Sequence, residues 1–191
     1  MKLTKEQEII KLLFKDFLNF YNSRNISKII GISHPGSFKI LKKLEKNQIV
    51  KAKQIGKAII YTLNFHNPIT SREIEMVLTI EAQIYRRWVE EFKELEHESH
   101  FVILFGSILK DEESAKDIDL LVVANKNNFK EIKNIIDRKN EISNKKIHLI
   151  FQDIEEFKKD VGGNNKVMIE IIKKGIVLFG QDKIRQAIGE R

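Results

Sequence analysis

Apolar residues recur along this chain with two periods, and each change of period marks a change of element. Between Glu6 and Phe20 the apolar positions Ile9, Ile10, Leu13, Phe17 and Phe20 fall at near-helical spacing, which predicts an amphipathic helix. Residues 25–30 form a short helical stretch closed by Gly31. Ser33 is placed to cap the next helix, and Pro35 is tolerated in its first turn. From Gly36 to Lys46, Phe38, Leu41 and Leu44 share one face, while Lys39, Lys42, Lys43 and Lys46 lie largely elsewhere around it. The period then shortens. Residues 49–53 and 58–63 read as strands, and Gln54-Ile55-Gly56-Lys57 turns between them.

Phe65-His66-Asn67-Pro68 separates the hairpin from the next element. Thr70 or Ser71 can cap a long helix running to about His97. Its apolar positions Ile74, Leu78, Tyr85, Trp88, Phe92 and Leu95 are spaced by threes and fours, with Glu81 as the exception. One such stripe can pair with its twin in a homodimer, or pack on the C-terminal domain of the same chain. After His100 the pattern predicts a strand at 101–105, a turn and helix at 106–113 and a strand at 118–123. A helix at 128–138, a strand at 146–151, helices at 153–160 and 165–174, and a short strand at 176–179 complete the order. Gly175 fits a helix stop. The expected fold class is α/β of the α+β kind: a winged helix-turn-helix, a long connecting helix, then a small mixed sheet.

Charge separates these parts. Residues 1–66 carry 13 Lys and Arg against 4 Asp and Glu, a net +9. Residues 67–100 carry 4 against 8, and residues 101–191 carry 17 against 15. The excess of +7 over the whole chain therefore sits in the first third, which points to a polyanion-binding module joined to a more neutral one. There is no Cys, which excludes disulfides and thiolate metal sites and fits a cytoplasmic setting. No apolar run approaches the roughly 20 residues of a membrane span, and the N-terminus lacks the apolar core of a secretory signal.

The stretch NISKIIGISHPGSFKILKKLEKNQIVKAKQIGKAIIYTLN resembles winged-helix transcription regulators of the broad ArsR/MarR type, over about residues 5–65. The resemblance implies that the helix after Gly31 enters the major groove of duplex DNA and that the hairpin touches the backbone. It makes His34, Ser37 and Lys39 candidates near base edges. Lys42, Lys43, Lys53 and Lys57 become candidates for phosphate contact. A solvated lysine face, or a protein-binding winged helix, is the plainer reading of the same residues.

The stretch FVILFGSILKDEESAKDIDLLVV carries chemistry. An apolar run stops at Gly106-Ser107, and Asp117-Ile118-Asp119 opens the next. Two carboxylates at i and i+2 on a strand point to one face. Gly106 lets the backbone approach a phosphate, Ser107 offers a hydroxyl and an N–H to an anion, and Asp117 and Asp119 are hard oxygen ligands of the type Mg²⁺ takes. Lys110, just past the turn, is a candidate phosphate contact from position and charge. The signature resembles the nucleotidyltransferase superfamily that includes DNA polymerase beta, and within it the minimal nucleotidyltransferases, over about residues 98–181. The resemblance implies Mg²⁺ or Mn²⁺ with a nucleoside triphosphate as cofactors. It also implies a third carboxylate on a later strand, where this chain has His148 in KIHLIF. His148 can bind a metal, act as a base, or simply fill a cleft. Asp153 lies nearby but past the strand end.

The expected domains are a winged-helix DNA-binding domain over 1–66, a connecting or dimerisation helix over 67–99, and a nucleotidyltransferase-like domain over 100–191. This arrangement supports three functions. The first is a DNA-binding regulator whose second domain binds a nucleoside triphosphate and a divalent metal. The second is an active nucleotidyltransferase moving a nucleoside monophosphate to a protein or nucleic-acid acceptor, as in antitoxin-type minimal nucleotidyltransferases. The third is an interaction module docking a HEPN-type helical partner.

Overall fold

Thr4 opens the first helix, α1 (Lys5–Lys15), through a capping box. Its hydroxyl accepts the Gln7 N–H at 3.3 Å while the Gln7 side chain accepts the Thr4 N–H at 2.9 Å. The computed structural model describes residues 2–189. α1 buries Ile9, Ile10, Leu13 and Phe14, and stops at Asp16, well before the expected Phe20. The Asp16 carboxylate accepts hydrogen bonds from Asn19, at 2.7 Å, and from the Tyr21 hydroxyl. These local bonds replace the next helical turn and leave Phe20 70% exposed.

α2 (Ser23–Ile30) is capped by Asn22 and closed by Gly31 in the left-handed region at φ 68°. α3 (His34–Lys46) starts where expected, with Ser33 accepting the Gly36 N–H at 3.2 Å. Its buried face differs from expectation: Ser37, Leu41 and Leu44 point inward, and Phe38 points out. The hairpin β1 (Val50–Ile55) and β2 (Ala58–Leu63) pairs antiparallel from Val50↔Leu63 to Ile55↔Ala58, with the turn confined to Gly56-Lys57. These elements belong to the compact unit Met1–Ile80, whose core holds Phe14, Ile26, Leu41, Leu44 and Tyr61.

α4 (Pro68–Ile84) begins earlier than expected. Asn67 accepts the Ile69 N–H at 2.9 Å, whereas Thr70 is buried and donates to the Ile49 carbonyl at 3.3 Å, so neither Thr70 nor Ser71 is the cap. The helix also ends earlier. Tyr85, at φ −104° and ψ 33°, interrupts it before the short α5 (Arg86–Glu91) and a 3-10 turn at Lys93–Leu95. Trp88, Phe92 and Leu95 are buried in the core of the second compact unit, Glu81–Arg191, with the Trp88 and Phe92 rings stacked at 6.1 Å. Of the two partners open to the apolar stripe, this half takes its own chain.

The second unit is built on a four-stranded sheet of β3 (Phe101–Phe105), β4 (Asp117–Val123), β5 (Lys146–Gln152) and β6 (Ile176–Phe179), in the order β5-β4-β3-β6. β3 pairs antiparallel with β4 and β6, while β4 pairs parallel with β5 through the crossover helix α6 (Phe129–Ile142). One sheet face carries Val102, Leu104, Ile118, Leu120, Val122 and Ile147 into a core with α6 residues Ile132, Ile135 and Ile136. Phe101, Ile103, Leu121 and Val123 alternate onto the other face. There Phe101 meets Phe157 of α7 (Ile154–Gly162) edge-on at 4.9 Å. α8 (Lys166–Lys174) and α9 (Gln181–Gly189) complete that side, and α9 has no counterpart among the expected elements. The chain is thus of the mixed α/β class expected, and no helix among the described residues is long and apolar enough to cross a membrane.

Candidate functional site

The register of the sheet assembles the polar residues of the C-terminal unit. Phe105, the last residue of β3, pairs with Asp119 on β4. Gly106 then turns the chain at φ 88°, a conformation that L side chains rarely adopt. A Cβ at Gly106 would lie 2.1 Å from Asp119 Oδ2, so the turn and the carboxylate are in direct contact. The helix expected at 106–113 is only a 3-10 turn, Ser107–Leu109, and Ser107 therefore offers its hydroxyl and N–H without a helix dipole behind them. Ser107 and Lys110 are both exposed.

Across β4 and β5 the parallel register sets Asp119 opposite His148 and Asp117 opposite Lys146. All four side chains alternate onto one face. His148 Nδ1 lies 3.5 Å from Asp119 Oδ1, and His148 Nε2 lies 3.8 Å from Asp117 Oδ1. The side chains of Asp117, Asp119 and His148 are 42%, 28% and 48% exposed, so they form a solvent-facing trio. Sequence reasoning passed over Lys146, although it lies two residues before His148, on the same face by alternation. Asp153 is excluded from the site. It caps α7 by accepting the Glu156 N–H at 2.8 Å and pairs with Lys126 at 2.8 Å, and that lysine holds its carboxyl below the ordinary range.

The loop between Gly106 and Asp117 is pinned at two points. Asp111 accepts N–H bonds from Glu113, at 3.0 Å, and Ser114, at 3.4 Å; its bonds to Ser114, the largest influence, hold its carboxyl below the usual value. Lys145 reaches over to donate to the carbonyls of Glu113 and Ala115. Beside the turn lies a cavity of about 810 Å³. Gly106, Ser107 and Lys110 line one part of it. Tyr85 and the α8 residues Lys166, Val167 and Glu170 line another, and Glu170 is paired with Lys174. Nothing in the spacing of the sequence links α8 to the Gly-Ser turn, because only the packing of α8 against the sheet brings them together.

The expected DNA-contacting residues divide differently. His34 is exposed, with Nε2 2.9 Å from Ser23 Oγ. Ser37 is 0% exposed and cannot meet a base edge, which corrects its expected role. It faces inward because it lies one helical turn before Leu41, on the face that α3 buries. Lys39, Lys53 and Lys57 are exposed and make no ion pair among the described residues. Lys42 instead pairs with Glu45 at 2.8 Å, and Lys43 with Glu6 at 2.6 Å. The Glu45 partner pushes the Lys42 ammonium above its usual value.

No curated protein matches this chain. Two solved structures of ZitR from Lactococcus lactis, one of a mutant and one of the wild type in complex with DNA, are each 21% identical over 48% of this chain and 64% of theirs. Their TM-scores of 0.36 and 0.34 mark a likeness from which neither fold nor function transfers. The chain thus spans 64% of the length of the ZitR chains. Residues 89–184 match the family described as polymerase beta, nucleotidyltransferase. That span begins at Val89 in α5, between Trp88 and Phe92, which pack into the sheet's core, and it takes in the Gly106 turn, both aspartates and His148. By this match over half its length, the chain belongs to the polymerase beta nucleotidyltransferase family.

Proposed function

We propose that this protein binds duplex DNA through its N-terminal unit, as a winged-helix regulator, and a nucleoside triphosphate with a divalent cation through its C-terminal unit. The observation that carries the nucleotide reading is the contact between the Gly106 turn and the Asp119 carboxylate, with Asp117 on the same face. It supports that reading because a backbone turn that can approach a phosphate lies against one carboxylate of the kind Mg²⁺ takes, with a second on the same face.

The residues present fit one Mg²⁺. Among the described residues no group of three or more His, Asp or Glu is gathered to hold a metal ion alone. Mg²⁺ does not ask for such a cage, since it is commonly held by one or two carboxylates, water and the substrate's phosphates. Asp117 and Asp119 would hold it, and when bound it would neutralise triphosphate charge. Ser107 and Lys110 would take the phosphates, and the adjoining 810 Å³ cavity has room for the nucleoside.

On the DNA side, α3 enters the major groove, and Lys39, Lys53 and Lys57 supply cations that no carboxylate among the described residues neutralises. Lys42 and Lys43 are weaker candidates because each already has a carboxylate partner.

A second reading, active transfer of a nucleoside monophosphate to a protein or nucleic-acid acceptor, is favoured by one observation. The His148 ring reaches both carboxylates, within range to accept a proton from an acceptor hydroxyl bound there. The acceptor oxygen would attack the α-phosphorus while pyrophosphate leaves.

Differential scanning with triphosphates and Mg²⁺ tests the first reading. Melting should rise for the wild type and not for Asp117→Ala; no rise with any triphosphate sinks it. Labelled triphosphate incubated with the protein and cell extract separates the second reading, which requires a labelled acceptor.

A further inference from the structure

We propose that Phe38 is a specificity residue, contacting the 5-methyl group of thymine in the major groove. The proposal rests on DNA binding by the N-terminal unit. Its starting point is an inversion of the ordinary burial preference on α3. At position 37 a serine is 0% exposed, its hydroxyl without a hydrogen-bond partner among the described residues. At the next position a phenylalanine is 42% exposed. Core formation alone would favour the opposite assignment, since phenylalanine gains far more than serine from burial. Folding thus leaves much of the Phe38 ring on the surface of α3.

The surroundings of the ring indicate what that surface meets. His34 and Lys42 lie one turn before and one turn after Phe38, so the three share one flank of the helix. His34 is held by Ser23, and Lys42 stands with its ammonium 5.8 Å from the centre of the Phe38 ring while paired to Glu45. The ring is thus flanked by polar side chains along the helix, and its free surface is an apolar spot with Lys39 adjacent in sequence. A polyanion with only polar edges has no use for such a spot. Duplex DNA presents one apolar group in the major groove, the thymine methyl, and phenyl side chains are among those that contact it. The neighbouring Lys39 ammonium, which makes no ion pair among the described residues, matches a phosphate that flanks that methyl.

The test compares pools of random-sequence duplex made with thymine or with uracil, which lacks only the 5-methyl, using the full-length protein and fluorescence polarisation. The wild type should bind the thymine pool about fourfold more tightly, the effect of one buried methyl-sized group. Phe38→Ala should bind both pools equally, at the wild type's affinity for uracil, with the melting temperature lowered by about the same amount as in Phe20→Ala, an exposed phenylalanine outside α3 that should leave the preference intact. Phe38→Leu, which keeps an apolar surface, should retain part of the preference. Equal binding of the two pools by the wild type overturns the proposal while leaving DNA binding intact. A preference that survives in Phe38→Ala also overturns it, by assigning discrimination to duplex shape. A wild type that binds neither pool sinks the DNA reading and this inference with it.

Discussion

Asp119 on β4 and His148 on β5 stand in register across a parallel strand pair, with Asp119 Oδ1 3.5 Å from His148 Nδ1. The imidazole thus borders both aspartates, on the strand where the superfamily resemblance calls for a third carboxylate. A neutral or cationic ring there gives the trio less negative charge than three carboxylates would. His148→Asp should therefore tighten Mn²⁺ binding about tenfold, while His148→Ala should leave it within about threefold of wild type. Isothermal titration with Mn²⁺ alone reads this directly. Loss of binding in His148→Ala would instead make the ring a ligand.

Gly106→Ala probes the turn. The added Cβ would fall 2.1 Å from Asp119 Oδ2 and 3.0 Å from its Cγ, at a φ of 88° that alanine rarely adopts. Urea unfolding should show a loss of about 2 kcal/mol. Stabilisation by triphosphate and Mg²⁺ should vanish as well, because Asp119 must move aside. A variant that keeps full nucleotide stabilisation would detach the turn from the site.

Ser37→Ala removes a buried hydroxyl with no partner among the described residues. Stability should rise by about 1 kcal/mol, and DNA affinity should not change. A weakened affinity at unchanged stability would restore Ser37 to the DNA surface.

Salt dependence separates the lysines of α3 and the hairpin. Lys39→Ala and Lys53→Ala should each reduce the slope of log K against log salt by about 0.9, the contribution of one phosphate contact. Lys42→Ala and Lys43→Ala should change it less, since Glu45 and Glu6 already neutralise these ammonium groups. Equal slopes for all four variants would remove the distinction.

Tyr21 predicts an alkaline limit. Burial, reinforced by its hydrogen bond to Asp16, pushes its hydroxyl up to about 12 from an ordinary 10.0. The folded state thus holds the proton more tightly than the unfolded chain does. The associated stability is fully present below pH 10 and is lost as pH rises from 10.0 through about 12. The N-terminal unit of the wild type should melt progressively lower across that window, and Tyr21→Phe should show a shallower fall. Parallel curves would assign the alkaline loss to other groups.

Local order was largely legible from the residues. The caps at Ser33 and Gly31, the hairpin, the strand that ends just before Gly106, and the strands that carry Asp117, Asp119 and His148 arise from capping chemistry and apolar period, which are properties of neighbours in the chain. The alternation that sets His148 opposite in sense to Ile147 was legible for the same reason. Every choice settled by a distant partner lay beyond the sequence. Whether Ser37 or Phe38 turns inward depends on what α3 packs against, since both lie beside the apolar stripe. The break at Tyr85, after which Trp88 and Phe92 are buried in the sheet's core, has no breaker residue to announce it in the sequence. The pairing of Asp119 with His148, the lysine pairs with Glu6 and Glu45, and the wall that α8 lends to the cavity beside Gly106 are likewise decided only when remote segments meet. Period and capping act over a few residues and are written in the chain; packing compares alternatives across the whole unit, and only the tertiary structure makes that comparison.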